Sequence, residues 1–464
     1  MSQLGKELRC TSQSTDEDRL STLTDDIILY ILGRVDITTA TRTSVLSKRW
    51  RVLPRLLPEL NLRVWDFMPI PRPGPIEAHH MDQGMACLTK ATRSFLADPT
   101  RKSTSTTNLL LQLYGGRNYS REIGLLVRDA IDSGALKQLE LRIVHEKEVP
   151  VHCRHEDMDI HHVLFDSCKE LKKLMLFHCD VGDCSIWQIN APDSKLAVLE
   201  IAITCLERVE VVCLPKLRRL HLDNWLYFEA PLRFGFVPSL NELALIRSGT
   251  LDNQEFRLSA VLHGTTNIHT LTLDFEGGEL WIQPEGKQLC PAFNNLRELS
   301  ICGISVDFDL LWTINLLEAA PSVEIFLVQI WDQCREDRQL RTETAYADQR
   351  TKPSWSITGF TSSNTWKLKE ILFVGFRPLE QQILFIRAVM KRAPNLKALL
   401  LKENEKPCRR CEAMATPCPL RGGFFPRDQE EQEATVKQFR DGVCSSARII
   451  FASSHVNVKC AVYS

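Results

Sequence analysis

The chain has 464 residues, of which 44% are hydrophobic and 25% charged, a composition that specifies a folded globular protein and excludes a disordered chain. Its 57 basic and 58 acidic residues leave a net charge of −1, so no global field draws it to nucleic acid or to an anionic membrane. The length exceeds one small core and calls for about two to four domains or a repeat array.

Residues 1–17 are polar, hold no secretory leader, and are expected to be disordered; no run of eighteen uncharged apolar residues follows, so a soluble protein, cytoplasmic and/or nuclear, with reduced thiols is expected. The 16 cysteines are scattered, and Cys205, Cys213 and Cys302 fall in strand-like apolar runs, where a thiol acts as a small hydrophobe. The densest local pattern is "DRLSTLTDDIILYILGRVDITTATRTSVLSKRWRVLPRL" at 18–56. Thr24 or Asp25 is placed to cap a helix starting near Asp26, whose Ile27, Ile28, Ile31, Leu32 and Val35 recur at helical spacing. Two more short helices, about Thr38 to Val45 and Ser47 to Leu53, complete a unit of roughly forty residues. Such a unit buries little surface alone and needs a partner.

This stretch resembles a plant F-box in its start at "LTDDII", its end at "RTSVLSKRWR", and the spacing between them, with Thr24 standing where the family has proline. The resemblance implies docking on the Skp-type adaptor of a cullin-RING ubiquitin ligase. It assigns adaptor contact to Leu20, Leu23, Ile28, Ile31, Leu32, Val45, Leu46 and Trp50.

Four prolines between Pro69 and Pro75 mark a linker, followed by an amphipathic segment from about Gly84 to Ala97 and a polar turn at 103–107. Then L-x-x-L-x-L phrases begin at Leu136, Leu171, Leu196, Leu217, Leu240, Ile268, Leu296, Val323, Leu368 and Leu396, at spacings of 35, 25, 21, 23, 28, 28, 27, 45 and 28 residues. Most fall in or near the leucine-rich-repeat range of about 20–29. The last two apolar positions of each phrase are two apart and point to one side of a strand, a face that single copies cannot bury and stacked copies can. The alternate positions are expected to line a concave side: Arg142, Phe177, Arg219, His221, Asp223, Glu242, Ile246, Thr272, Asp274, Glu298, Ser300 and Lys402. Their mixed sign argues against a nucleic-acid track. Phe177, Arg219, His221, Asp223, Trp225, Glu242 and Glu298 are the candidate target-binding residues, Trp225 at the rim of the sheet or as core filling.

From Trp366 to Leu401 a strand phrase, a helix with Ile383, Ile386, Val389 and Met390 on one face, and a second strand phrase resemble the FBD region that closes many plant F-box and leucine-rich-repeat proteins. Two clusters invite a metal reading. Cys408, Cys411 and Cys418 lack a fourth ligand fixed by spacing, with Cys444, Cys460 and His455 as remote options, and His152, Cys153, His155, His161 and His162 lack the H-E-x-x-H spacing. Neither a G-x-S-x-G elbow nor a Walker loop is present, so no metal, cofactor or catalytic residue is expected.

The expected fold is α/β: an N-terminal three-helix F-box, an irregular leucine-rich-repeat horseshoe and an FBD-like cap. Its units are a disordered start at 1–17, the F-box at 18–62, a linker with an entering helix at 63–107, the solenoid at 108–350 and the FBD-like region at 351–464. The expected role is a non-catalytic substrate receptor of an SCF-type ligase, reaching cullin and RING protein through the adaptor and holding an unknown protein target, without nucleic acid or membrane. The competing roles are a leucine-rich scaffold outside any ligase, with the N-terminal helices as a cap, and a thiol-metal protein or enzyme built around Cys408 and Cys411.

Overall fold

The structure, a computed structural model, describes residues 22–68, 78–96, 108–114, 117–144, 165, 168–178, 186–204, 206–225, 230–247, 256–277, 280–283, 285–306, 308–331, 366–403 and 425–452. Its strands are β1 (Glu59–Arg63), β2 (Asn108–Tyr114), β3 (Gln138–Val144), β4 (Lys173–Phe177), β5 (Ile186–Asn190), β6 (Val198–Thr204), β7 (Arg208–Cys213) and β8 (Arg219–Trp225). They continue as β9 (Leu232–Phe236), β10 (Glu242–Ile246), β11 (Thr270–Asp274), β12 (Glu298–Ser305), β13 (Ile325–Trp331), β14 (Glu370–Val374), β15 (Ala398–Lys402) and β16 (Arg448–Ala452). All ten leucine phrases form strands, each starting at the third residue of its phrase.

Thirteen of these strands make one sheet in the order β1-β2-β3-β4-β6-β8-β10-β11-β12-β13-β14-β15-β16. Neighbours run parallel throughout, which fits a leucine-rich-repeat solenoid. The paired phrase positions set the register: Leu220, Leu243, Leu271 and Leu299 lie side by side, as do Leu222, Leu245, Leu273 and Ile301. All eight are buried, at roughly 1.5–3 kcal/mol for each aliphatic side chain by transfer. Just before each strand, a backbone carbonyl receives amides from the next repeat. The Arg218 oxygen accepts from Asn241 and Glu242, and that of Asn241 from His269 and Thr270. His269 in turn accepts from Arg297 and Glu298, and Arg297 from Glu324 and Ile325.

Repeat length decides what lies opposite the sheet. Between Leu171 and Leu240 the phrases are 21 to 25 residues apart, and a second parallel sheet, β5-β7-β9, fills the other side. A strand advances about 3.3 Å per residue against 1.5 Å for a helix, so a short return closes with an extended segment. Elsewhere among the described residues helices occupy that side: α1 (Asp25–Leu32), α2 (Ile37–Arg42), α3 (Lys48–Val52), α4 (Ala78–Leu96) and α5 (Arg117–Asp132) precede β3. Later come α6 (Thr313–Ala319), α7 (Glu380–Arg392) and α8 (Gln429–Arg440).

Several repeats take one left-handed residue at the same place near the strand end. His178, Ile203 and Asn224, at φ 54°, 55° and 50°, each follow the rung Phe177, Ala202, Asp223. His178 and Gly375 come just after β4 and β14, whereas Ile203, Asn224 and Gly303 kink β6, β8 and β12 near their ends, after which Thr204 and Trp225 still pair. A Cβ on Gly303 would lie 2.2 Å from an Asp274 carboxylate oxygen, so glycine is required there. Ile203 is the strained member, because a β-branched side chain is disfavoured at positive φ.

The sequence locates the N-terminal helices to within a few residues and gives the position of the first cap but not its bonding. Thr24 occupies the N-cap of α1 but makes no side-chain cap bond, whereas Asp36 accepts from the Thr39 amide at 2.8 Å to cap α2 and Ser47 accepts from the Trp50 amide to cap α3. The helix expected from Gly84 already begins at Ala78. One apolar core runs from Ile28 to Ala447, and the sheet continues unbroken from β13 into β14 across the expected boundary at 350.

Candidate functional site

Two surfaces carry the features a partner would recognise. The first lies on the N-terminal helices. Helix α1, "DDIILYIL", is apolar all round after its first two residues, which in a soluble protein marks a helix meant to be covered on every side. Ile28 and Leu32, four residues apart, are 0% and 2% exposed and share the core with Ile37, Ala40, Trp50 and Leu53. The opposite stripe of Ile27, Tyr30 and Ile31 is open, as are Val35, Val45 and Leu46, with Val45 85% and Leu46 60% exposed. Arg49 locks the helices together: its guanidinium donates to the Leu23 carbonyl at 2.6 Å and pairs with Asp25 at 2.6 Å.

The expected adaptor contacts therefore separate. Ile31, Val45 and Leu46 are exposed, and Leu23 is half-buried. Ile28, Leu32 and Trp50 point into the chain's own core, a correction to the expectation that all face outward. The physical cause is that three short helices found cover in each other, in β1 and in the turn at 53–56. Leu20 lies outside the described residues. Ile27, Tyr30 and Val35 were missed as surface candidates, although the all-round apolarity of "IILYIL" is the signal that exposes them.

The second surface is the open face of the sheet. On β4, β6, β8 and β10 it carries a charge ladder: Lys173 pairs with Glu200 at 3.1 Å and Arg219 with Glu242 at 2.8 Å. The Arg142 guanidinium lies 4.7 Å from the centre of the Phe177 ring and pairs with Glu140. His221 sits between Glu200 and Ala244 in register. Burial holds its imidazole below the usual histidine range, opposed by Glu200 and Glu242, and its Nε2 has no hydrogen-bond partner. Phe177, Arg219, His221, Asp223 and Glu242 thus come together, all half-buried. Glu298, exposed, lies two strands beyond Glu242 on the same rung, about 10 Å away at sheet spacing.

Trp225 is not at the rim. It is 2% exposed, packed edge-on against Trp281 at 5.1 Å and Phe256 at 6.3 Å, with the Arg247 guanidinium 5.3 Å from its ring centre. It ends β8 on the core side, where its ring fills the space between repeats. Burial lowers the Arg247 pKa to about 10. Ile246, Thr272 and Asp274, expected on the concave lining, are also buried. Toward the C-terminal end the open face turns apolar: Cys302, Leu327 and Leu372 form a second cluster with Val374 and Leu400. The continuous apolar runs "IFLV", "ILFV" and "ALLL" are its sequence signal, since strands covered on both faces lose their alternation.

Cys408, Cys411, Cys418, Cys460 and the segment from His152 to His162 lie outside the described residues. Cys205 lies outside them too, Cys213 is half-buried and Cys302 buried. Cys168 is buried, and burial pushes its thiol up to about 12. Among the described residues no group of three or more His, Cys, Asp and Glu side chains is placed to hold a metal, and no helix is long and apolar enough to cross a membrane.

Residues 132–424 match the family model described as At1g61320/AtMIF1, LRR domain. The chain belongs to this leucine-rich-repeat family. It is also similar to the F-box/FBD/LRR-repeat protein At5g53840 of Arabidopsis thaliana, 47% identical over 51 residues that cover 11% of this chain and 12% of that protein. The putative F-box/FBD/LRR-repeat protein At5g52460 of the same plant is 26% identical over 248 residues, 53% of this chain and 50% of its relative. A third, the putative F-box/FBD/LRR-repeat protein At3g49480, is 51% identical over 45 residues, a tenth of each chain. The chain thus spans between a tenth and a half of the length of these relatives.

Proposed function

We propose that this chain is a substrate receptor of an SCF-type cullin-RING ubiquitin ligase. Its N-terminal helices dock on a Skp-type adaptor, which links them to cullin and the RING protein, and the open face of the sheet holds a protein target close to the ubiquitin donor. The chain does no chemistry itself; it raises the effective concentration of the target's lysines. The observation that carries this reading is the outward stripe of α1, Ile27, Tyr30 and Ile31, together with exposed Val45 and Leu46, since clustered exposed apolar side chains mark an interaction surface. Ile28, Leu32 and Trp50 hold the three helices in shape behind that surface. The charge ladder around His221 on β4 to β10 is the proposed target-binding area, with the protein acting in the cytoplasm, the nucleus or both.

One observation favours a second reading: the N-terminal helices share a single core with the solenoid, as the integral cap of a scaffold outside any ligase would. Replacing both Ile31 and Leu46 by aspartate separates the two. Receptor action predicts at least about 100-fold weaker adaptor binding, because two hot-spot contacts are each worth about 1–2 kcal/mol or more, with an unchanged melting curve. Unchanged affinity for the adaptor would leave the scaffold reading standing.

A further inference from the structure

A cavity of about 380 Å³ lies where α2, α3 and the turn at 53–56 meet α4. Its apolar wall includes Ile37, Pro54, Phe67 and Phe95. Three cationic side chains reach it from three different elements: Arg51 from α3, Arg55 from the turn, and Lys90 from α4. Among the described residues no carboxylate lines it, and Arg51 and Lys90 form no ion pair. Its hydroxyls divide by what they already do. The Thr38 hydroxyl donates to Asp36 at 2.5 Å and that of Thr41 to the Thr38 carbonyl at 2.9 Å. Ser44 and Ser94 make no side-chain hydrogen bond among the described residues, so their protons remain to be donated. The α4 residues Cys87, Lys90, Ala91, Ser94 and Phe95 recur at helical spacing and present one face to the space.

We propose that this cavity binds a small phosphate monoester with an aromatic or short aliphatic body. A phosphate monoester near pH 7 carries close to two negative charges and three strong acceptor oxygens, which suits the two cations Arg51 and Lys90 and the hydroxyl donors of Ser44 and Ser94. A carboxylate, with one charge, would leave part of that set unused. The wall of Phe67, Phe95, Pro54 and Ile37 takes the organic body, and the volume falls within the range of about 300–1,000 Å³ typical of small-ligand sites. The exposed residues Ile27, Tyr30, Ile31, Val45 and Leu46 do not line the cavity, so its ligand and the proposed adaptor need not compete. Because the two sides of the cavity come from the N-terminal helices and from α4, a bound ligand ties the helical unit to the first long helix of the solenoid.

The test titrates the full-length chain with phenyl phosphate, inorganic phosphate and benzyl alcohol, reading calorimetry and the melting temperature. Saturable binding of phenyl phosphate is expected, at least tenfold tighter than inorganic phosphate, with no binding of benzyl alcohol and a raised melting temperature. The double substitution R51Q/K90Q is expected to weaken phenyl phosphate at least tenfold. Ala91→Phe, which fills the space and leaves every charge in place, is expected to abolish binding; since both charged residues and Ala91 are at least partly exposed, these variants keep a cooperative melt. Binding that is absent in the parent chain, survives Ala91→Phe, or is as tight for inorganic phosphate would overturn the assignment. A phosphotyrosyl hexapeptide that binds more tightly than phenyl phosphate would also overturn it, moving the site to a peptide partner.

Discussion

The N-terminal helices and the repeat strands start from the same surplus of leucine and isoleucine and dispose of it differently. A strand alternates its side chains, so the leucines of β8, β10 and β11 all fall on one face, and the next repeat covers them. Helix α1 has apolar residues around its whole circumference, and two neighbouring short helices cover only one stripe. What remains outside on α1 is thus a matter of geometry. Repetition makes the solenoid self-sufficient, while a forty-residue helical unit is left with surface to place elsewhere.

The largest effect that probes this difference is expected in the sheet. Leu245→Ala, at a position with no exposure, should cost about 2–5 kcal/mol in chemical denaturation, as a cavity in a core that cannot collapse. If that loss is confined to one local transition while the rest of the chain melts unchanged, the repeats are not one continuous unit.

Next comes a comparison within α1 itself. Leu32→Ala is expected to cost about 2–5 kcal/mol, whereas Ile31→Ala, one residue away and 40% exposed, stays within about 0.5 kcal/mol. Equal losses would show that the outward stripe is already covered.

Asp36 sharpens the comparison at the scale of one cap. Hydrogen bonds from the Thr38 and Thr39 hydroxyls and the Thr39 amide lower its carboxyl to about 2, below the value near 3.9 of an unfolded chain. Because the folded value is the lower, its contribution is present above about pH 4 and is lost as the pH falls toward 2. Asp36→Ala should cost about 1 kcal/mol at neutral pH, the group being exposed and screened by solvent. The same substitution should flatten the acid limb of the stability curve in that window.

The smallest effect expected is a gain. Ile203→Asn relieves a β-branched residue held at φ 55° and should stabilise by about 0.5–1 kcal/mol, measured by the denaturation midpoint. A loss of that size would mean that the half-exposed isoleucine side chain contributes more than its backbone costs.

The sheet was legible because its signal repeats: L-x-x-L-x-L fixes both the strand and its inward face, and ten copies leave little room for another period. Strands β2 and β16 have Thr106 and Ser446 where the phrase has its leading leucine, although their alternation is the same, whereas β1 carries the full phrase at Leu57, Leu60 and Leu62 but lies so close to the N-terminal helices that it reads as part of them. The outer strands β5, β7 and β9 were illegible for a different reason: they answer to the number of residues between phrases and have no motif of their own. At the candidate site, the sequence supplied the apolar residues of α1 but not their partition, because which stripe turns inward depends on neighbours folded from other segments. Trp225 shows the same limit. Its place beside Trp281 and Phe256 comes from residues 31 and 56 positions further on.

The 45-residue spacing between the phrases at Val323 and Leu368 leaves the sheet register untouched, with Ile325 opposite Glu370 as in any other repeat. Each doubling of a loop adds only about 0.6 kcal/mol to the cost of closing it. That spacing is therefore one at which the chain can acquire or shed whole segments in evolution at little thermodynamic penalty, while every strand keeps its neighbour.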